Sequence, residues 1–344
     1  MTVTYDEVRA YADGQAGRLR LNRPRALHSL DRSMVQAMTA ALLEWRDDPQ
    51  VRIVLIDHAE GRGFCAGGDV VGIANSVEGH EEAARAFFFD EYRLNHLMYT
   101  YPKPGVAFMD GITMGGGVGI SCPCRYRVAT ERTVFAMPET TIGIFPDVGG
   151  GRYLSRLRGR LAQYLALTGA RLNGAECKAL RLATHYIPSE KLEAVKEAIA
   201  ANPYRVEAIL DEATDHEIPP APIMAKLQLI DHCFASDDLD QILACLDAEQ
   251  DEWAAQTAAT IRAKSPTACK VSLRMLVESP KQPHFVDEMR MEYGLMVRMI
   301  RFPDFREGVR ALLIDKDNAP TWAPAADVEQ FFAPLPADEA WSPL

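Results

Sequence analysis

The stretch Gly61-Arg62-Gly63-Phe64-Cys65-Ala66-Gly67-Gly68-Asp69 follows the run VRIVLID at Val51–Asp57. That run is continuous and rich in β-branched residues, so it reads as a strand buried in a sheet. A second stretch, Gly111-Ile112-Thr113-Met114-Gly115-Gly116-Gly117-Val118-Gly119, follows another short strand at Gly105–Met109. Glycine admits positive φ and lets a ligand approach the backbone closely. A glycine-rich turn entering a helix leaves N–H groups unpaired and pointing outward, which suits an anion. Two such loops, each after a strand, predict one N–H apiece aimed at a single oxygen, as an attacked carbonyl requires. Either loop by itself is more simply an ordinary turn.

Gly61, Gly63 and Ala66 also fit the dinucleotide pattern G-x-G-x-x-A. The next residues are Gly67-Gly68-Asp69 rather than a helix start, and no acidic residue ends a second strand about 20 positions on, as that pattern requires. No Gly-Lys dipeptide occurs, so a phosphate-binding P-loop is absent, and no Gly-x-Ser-x-Gly elbow marks a serine hydrolase. Cys122-Pro123-Cys124 has the wrong spacing for zinc and reads as core, and no His-x-x-x-His pair occurs, so no metal is expected.

Two carboxylates stand out. Glu139 lies in the apolar stretch Phe135–Phe145 with no base nearby in sequence, where desolvation should raise its pKa and suit it to attack or proton transfer. Asp147 follows in Phe145-Pro146-Asp147-Val148-Gly149-Gly150-Gly151. The plainer alternatives are that Glu139 caps a turn and that Asp147 caps a helix beginning near Gly150. Glu91, beside Tyr92 on a helix, reads by default as a solvated charge.

The rest of the chain sets limits. A net charge of -11 over 344 residues argues against nucleic acid and anionic membranes. A phosphorylated ligand would need a local cationic cluster, for which Arg23, Arg25 and Arg62 are the candidates. Seven scattered cysteines fit reduced thiols, Met1–Ala10 does not read as a secretory signal, and no apolar run is long enough to span a bilayer. A soluble, cytoplasmic protein is expected. The first half alternates strands (Arg18–Leu21, Val51–Asp57, Gly105–Met109, Tyr126–Ala129) with helices, one after Asp31 and one over Glu82–Tyr99. From about Gly159 to Lys316 nearly everything reads as helix, including Ile223–Phe234, Leu239–Thr260, Pro266–Val277 and Phe285–Ile300. Ser265-Pro266 is a good helix start, and the proline-rich tail Ala323–Leu344 reads as a loose wrap.

Phe64–Asp69, Met114–Gly119 and Phe135-Ala136-Met137-Pro138-Glu139-Thr140 resemble motifs of the enoyl-CoA hydratase/isomerase, or crotonase, superfamily, and Asn22-Arg23-Pro24 fits it too. Within it, Gly111–Gly119, Pro146–Gly151, Ser265–Thr267 and Glu307–Asp317 are most similar to the 3-hydroxyisobutyryl-CoA hydrolase branch. The resemblance implies an α/β fold, a crotonase-like spiral of ββα units with an extended helical C-terminal region. It places the core and active site in residues 1–200 and the helical region and tail in 201–344. It implies an acyl-CoA substrate and no separate cofactor, with the Gly68 and Gly116 amides as oxyanion donors. Glu139 is then the catalytic carboxylate, Asp147 its partner at the substrate hydroxyl, and Glu91 a pocket residue, with Ala66, Asp69 and Arg25 also in the substrate-binding set. The implied reaction is thioester hydrolysis, as in valine degradation.

One departure bears on that reaction. Hydratases of the superfamily carry a glutamate three residues after the oxyanion glycine of the second loop, and here that position is Gly119. Hydration needs one group to activate water and another to deliver a proton, whereas hydrolysis can run on Glu139 alone. A lyase or isomerase on the same scaffold, and a non-catalytic acyl-CoA-binding protein, are the competing readings. The resemblance also implies a homo-oligomer, since superfamily relatives often form trimers, although the extended helical half could cover that surface.

Overall fold

The computed structural model describes residues 3–5, 7–74, 80–215 and 217–344; Met1, Thr2 and Asp6, part of the amino-terminal segment read above, lie outside the described residues. Alternating apolar residues pair Val8–Asp13 antiparallel with Ala16–Leu21, which runs parallel to Ile53–His58. All six residues of Ile53–His58 are buried, as its unbroken apolar run demands. Gly105–Met109, Tyr126–Ala129 and His185–Tyr186 continue the sheet in parallel, and Val3–Tyr5 completes its seven strands at the other edge. A smaller sheet joins Leu172–Asn173, Val134–Ala136, Ile112–Met114 and Gly63–Cys65. Successive units give one strand to each sheet and then a helix, as in Gly105–Met109, Ile112–Met114 and Gly116–Ser121. This is the expected spiral of ββα units.

The chain forms two compact units built from interleaved segments. The first comprises Met1–Gly68, Arg93–Phe135 and Arg171–Met224. Its core joins Ile53, Leu55, Val106, Phe108 and Val128 of the larger sheet to Leu192, Val195 and Ile199 of the helix Leu192–Ala201. The second comprises Asp69–Tyr92, Ala136–Ala170 and Ala225–Leu344. At its centre is the helix Leu161–Thr168, buried at every position, with Pro266–Glu278 packed against it. Ser265 caps that second helix as its sequence predicts, accepting from the Ala268 N–H at 3.0 Å.

Two expectations need correction. Leu239–Thr260 is not one helix: it breaks into Leu239–Ala248 and Glu252–Arg262. The backbone turns extended at Glu249, and the Asp251 carboxylate accepts from the N–H groups of Trp253 and Ala254, a cap hidden inside a helical period. The tail is not loose. Trp341 is buried and its indole N–H donates to the Phe89 carbonyl at 3.2 Å, while Glu339 pairs with Arg301 at 3.1 Å and Arg85 at 3.5 Å.

A charged knot sits inside the first unit. Asp57 accepts from Arg18 at 2.6 Å and from Lys196 at 2.8 Å, and all three side chains are buried. Removing the carboxylate would leave buried Arg18 with Asp13 at 3.2 Å and buried Lys196 with Glu193 at 2.7 Å, both more exposed acids. Asp57→Ala is therefore expected to lower unfolding free energy by about 3 kcal/mol, the low end for a broken buried pair, measured by urea denaturation.

Candidate active site

In the first unit the two glycine loops lie side by side, because Gly63–Cys65 pairs parallel with Ile112–Met114. Gly67 has φ +113°, a conformation side chains avoid, and a Cβ there would lie 3.8 Å from the Gly116 nitrogen. A Cβ on Gly117 would come within 2.2 Å of the Cys65 carbonyl oxygen, so glycine is what lets the second loop close on the first. The first loop is pinned by the Leu30 N–H on the Gly67 carbonyl at 2.7 Å and the Ala66 N–H on the Leu27 carbonyl at 3.0 Å. Gly116 is the first residue of the helix Gly116–Ser121, where an N–H has no intrahelical partner. Among the described residues neither the Gly68 nor the Gly116 N–H donates to a protein acceptor.

The second unit gathers the acids. Glu139 begins the short 3-10 turn Glu139–Ile142, and Asp147 precedes the helix Gly150–Leu154. Glu91 and Tyr92 come from the helix His80–Tyr99. All four are at most 5% exposed. The Tyr92 hydroxyl donates to Asp147 Oδ2 at 2.9 Å. Neither carboxylate caps a helix: the turn starts at Pro138 and the helix at Gly149, each without a side-chain cap. Glu91 Oε1 and Glu139 Oε2 have no hydrogen-bond partner among the described residues. The solvated role that Glu91 would have by default is thus overturned; its side chain is 1% exposed.

Burial sets the electrostatics. Desolvation raises the Glu139 carboxyl well above its ordinary value, and the charges of Asp147 and Glu91 push it further. Glu91 is raised by desolvation first and then by Asp147. Asp147 is pushed up to about 7 by burial, with the Tyr92 hydroxyl pulling the other way. An acid in such surroundings can hold a proton near neutrality and can also release it.

The remaining predicted positions are less committed to chemistry. Asp69 caps the short helix Val70–Ala74, accepting from the Gly72 N–H at 3.0 Å. Ala66 spends its N–H on Leu27. Arg25 is exposed on the turn Pro24–Ala26, and Arg23 is engaged with Ser29 and Glu7. Among the described residues no three of His, Cys, Asp or Glu form a metal-binding group.

Sequence reading passed over Tyr92, Glu288 and Glu292. The two glutamates are four apart on the helix Phe285–Met299, fully buried among Phe285, Met289, Leu295 and Met296. Acids recurring at helical spacing on an otherwise apolar face were the available signal. Glu292 accepts from the Gly149 N–H at 2.7 Å and the Gly151 N–H at 3.3 Å.

Residues 16–331 match the model of the enoyl-CoA hydratase/isomerase family, and the chain belongs to that family. Among its relatives, the human protein named 3-hydroxyisobutyryl-CoA hydrolase, mitochondrial, is 39% identical over 93% of this chain and 85% of its own length. The Gallus gallus protein of the same name is 41% identical over 91% and 83%. The crystal structure of a carnitinyl-CoA dehydratase from Mycobacterium thermoresistibile superposes with a TM-score of 0.91 at 40% identity, covering 97% of this chain and 98% of its own. The fold is crotonase-like.

Raised carboxyl pKa values have a consequence for stability. A group at 3.8 when unfolded and about 7 when folded favours the native state below the lower value and loses that contribution as pH rises through the window between them. Asp147→Asn removes this loss. Relative to the parent, the variant is expected to gain stability between about pH 4.5 and about pH 8, read as the difference in urea midpoints at the two pH values.

Proposed function

We propose that this protein hydrolyses the thioester of 3-hydroxyisobutyryl-CoA, and of 3-hydroxypropionyl-CoA, to the free hydroxy acid and CoA, a step of valine breakdown. The observation that carries the reading is the buried Glu139 carboxylate with an unpartnered oxygen, in a chain whose position 119 is glycine. The hydrolase names of its relatives support it over most of the chain.

In this reading the thioester carbonyl oxygen accepts from the Gly68 and Gly116 N–H groups. Negative charge developing on that oxygen meets donors already fixed in place. Glu139 either attacks the carbonyl carbon, expelling CoA thiolate and leaving a mixed anhydride that water cleaves, or takes a proton from the water that attacks. Both routes use its ionised form, which desolvation makes more basic. Asp147, held by Tyr92, receives the substrate's 3-hydroxyl, with Glu91 lining the same pocket. Ala66, Asp69 and Arg25 belong to the proposed substrate-binding set.

A second reading has one observation in its favour. The dehydratase named above matches in fold and at 40% identity, and Glu91 and Asp147 supply carboxyls besides Glu139. In that reading one carboxylate takes the proton α to the thioester and a protonated carboxyl gives its own to the 3-hydroxyl, which leaves as water. Thiol release from 3-hydroxyisobutyryl-CoA, followed with a thiol reagent, supports hydrolysis. Enoyl absorbance appearing without free thiol supports the lyase.

Glu139→Gln is expected to lower kcat by about 10² or more, the scale of a lost base or nucleophile. A fully active Glu139→Gln protein would remove Glu139 from the reaction.

A further inference from the structure

The turn that carries Asp147 is strained. Val148, a β-branched residue, has φ +55° and Gly149 has φ +87°. For valine the left-handed region is an outlier that persists only where its surroundings impose it. The turn closes on itself through the Gly150 N–H and the Asp147 carbonyl at 2.7 Å. What holds it from outside is Glu292, whose carboxylate takes the Gly149 N–H at 2.7 Å through Oε2 and the Gly151 N–H at 3.3 Å through Oε1.

The same helix, Phe285–Met299, braces the other end of the Tyr92–Asp147 hydrogen bond. Tyr293, next to Glu292, meets the Tyr92 ring edge-on at 6.1 Å and the Phe89 ring at 5.6 Å. One helix therefore fixes both the hydroxyl that donates and the turn that accepts. A fully buried carboxylate is costly, and here it stands beside Glu288, itself bonded to Ser279 at 2.6 Å, with Asp147 and Tyr92 also close. Desolvation, then Glu288, raises the Glu292 pKa well above its ordinary value. An apolar core residue would avoid that cost but would leave both backbone donors without an acceptor.

We propose that Glu292 is a positioning residue for substrate discrimination, clamping the strained Asp147–Gly151 turn so that the Asp147 carboxyl faces the substrate's 3-hydroxyl. The inference rests on the reading of Asp147 given under Proposed function. Glu292 touches no reacting atom; it acts through Asp147.

The test compares kcat/KM for 3-hydroxyisobutyryl-CoA with that for isobutyryl-CoA, which lacks the hydroxyl, in the parent, Asp147→Asn, Glu292→Gln and Glu292→Asp proteins. Glu292→Gln keeps one oxygen acceptor and loses the second, and Glu292→Asp keeps the carboxyl but withdraws both oxygens. Each is expected to lower the ratio of the two kcat/KM values by about tenfold to a hundredfold, the cost of displacing an aligned group, towards the Asp147→Asn ratio. A purely structural role would slow both substrates alike and leave the ratio unchanged. That result, with Asp147→Asn collapsing the ratio, overturns the inference while sparing the reading of Asp147. An unchanged ratio in Asp147→Asn overturns both. If circular dichroism shows Glu292→Gln unfolded, Glu292→Asp is read by the same criterion.

Discussion

Carboxyl groups removed from water are the constraint around which the second unit is organised. Glu91, Glu139, Asp147 and Glu292 are each at most 5% exposed, and all have raised pKa values. A buried charge without partners is strongly disfavoured, so each such group must find donors, keep its proton, or be tolerated for what it does. The fold gives different answers at different positions. Asp147 receives the Tyr92 hydroxyl, and Glu292 receives two backbone N–H groups. Glu91 and Glu139 each keep an oxygen with no partner among the described residues. Glu292 thus serves the turn it caps, and in the proposed reaction Glu139 and Asp147 serve the substrate.

The loops of the first unit answer a complementary demand. Their glycines allow one backbone to lie against another, and among the described residues the N–H groups of Gly68 and Gly116 donate to no protein acceptor, which suits them to the proposed role at the thioester oxygen. Donors that need no rearrangement are worth most where charge develops during a reaction. Stability is drawn from elsewhere, from the apolar contact of the larger sheet with Leu192–Ala201 and from the Arg18–Asp57–Lys196 knot.

Much of this was legible in the residues, for physical reasons. The run Val51–Asp57 read as a buried strand, and the two glycine-rich loops after strands announced a close approach to the backbone. Glu139 was visible because nothing apolar around it explains a charge. Asp147 was harder, since a carboxylate before a glycine triplet is also what a helix cap looks like; only the Tyr92 contact separates the two. Tyr92 and Glu292 stayed hidden because their partners lie 55 and 143 residues away in sequence. The break before Asp251 was missed for a related reason: the apolar residues keep helical period on both sides of Glu249, where the first helix ends, and of Asp251, which caps the second. The tail looked dispensable by composition, yet Trp341 and Glu339 tie it to residues 85–89 and to Arg301.

The protonation of Glu139 tests the central claim most directly. With carboxyl-¹³C-labelled glutamate and aspartate, the resonance that disappears in Glu139→Gln is assigned to Glu139 and followed through a pH titration of the folded protein. A midpoint well above the ordinary 4.5 is expected if desolvation and neighbouring acids govern this carboxylate. A midpoint at or below 4.5 would mean that the group is solvated or paired, and the dry acid cluster would not exist as described.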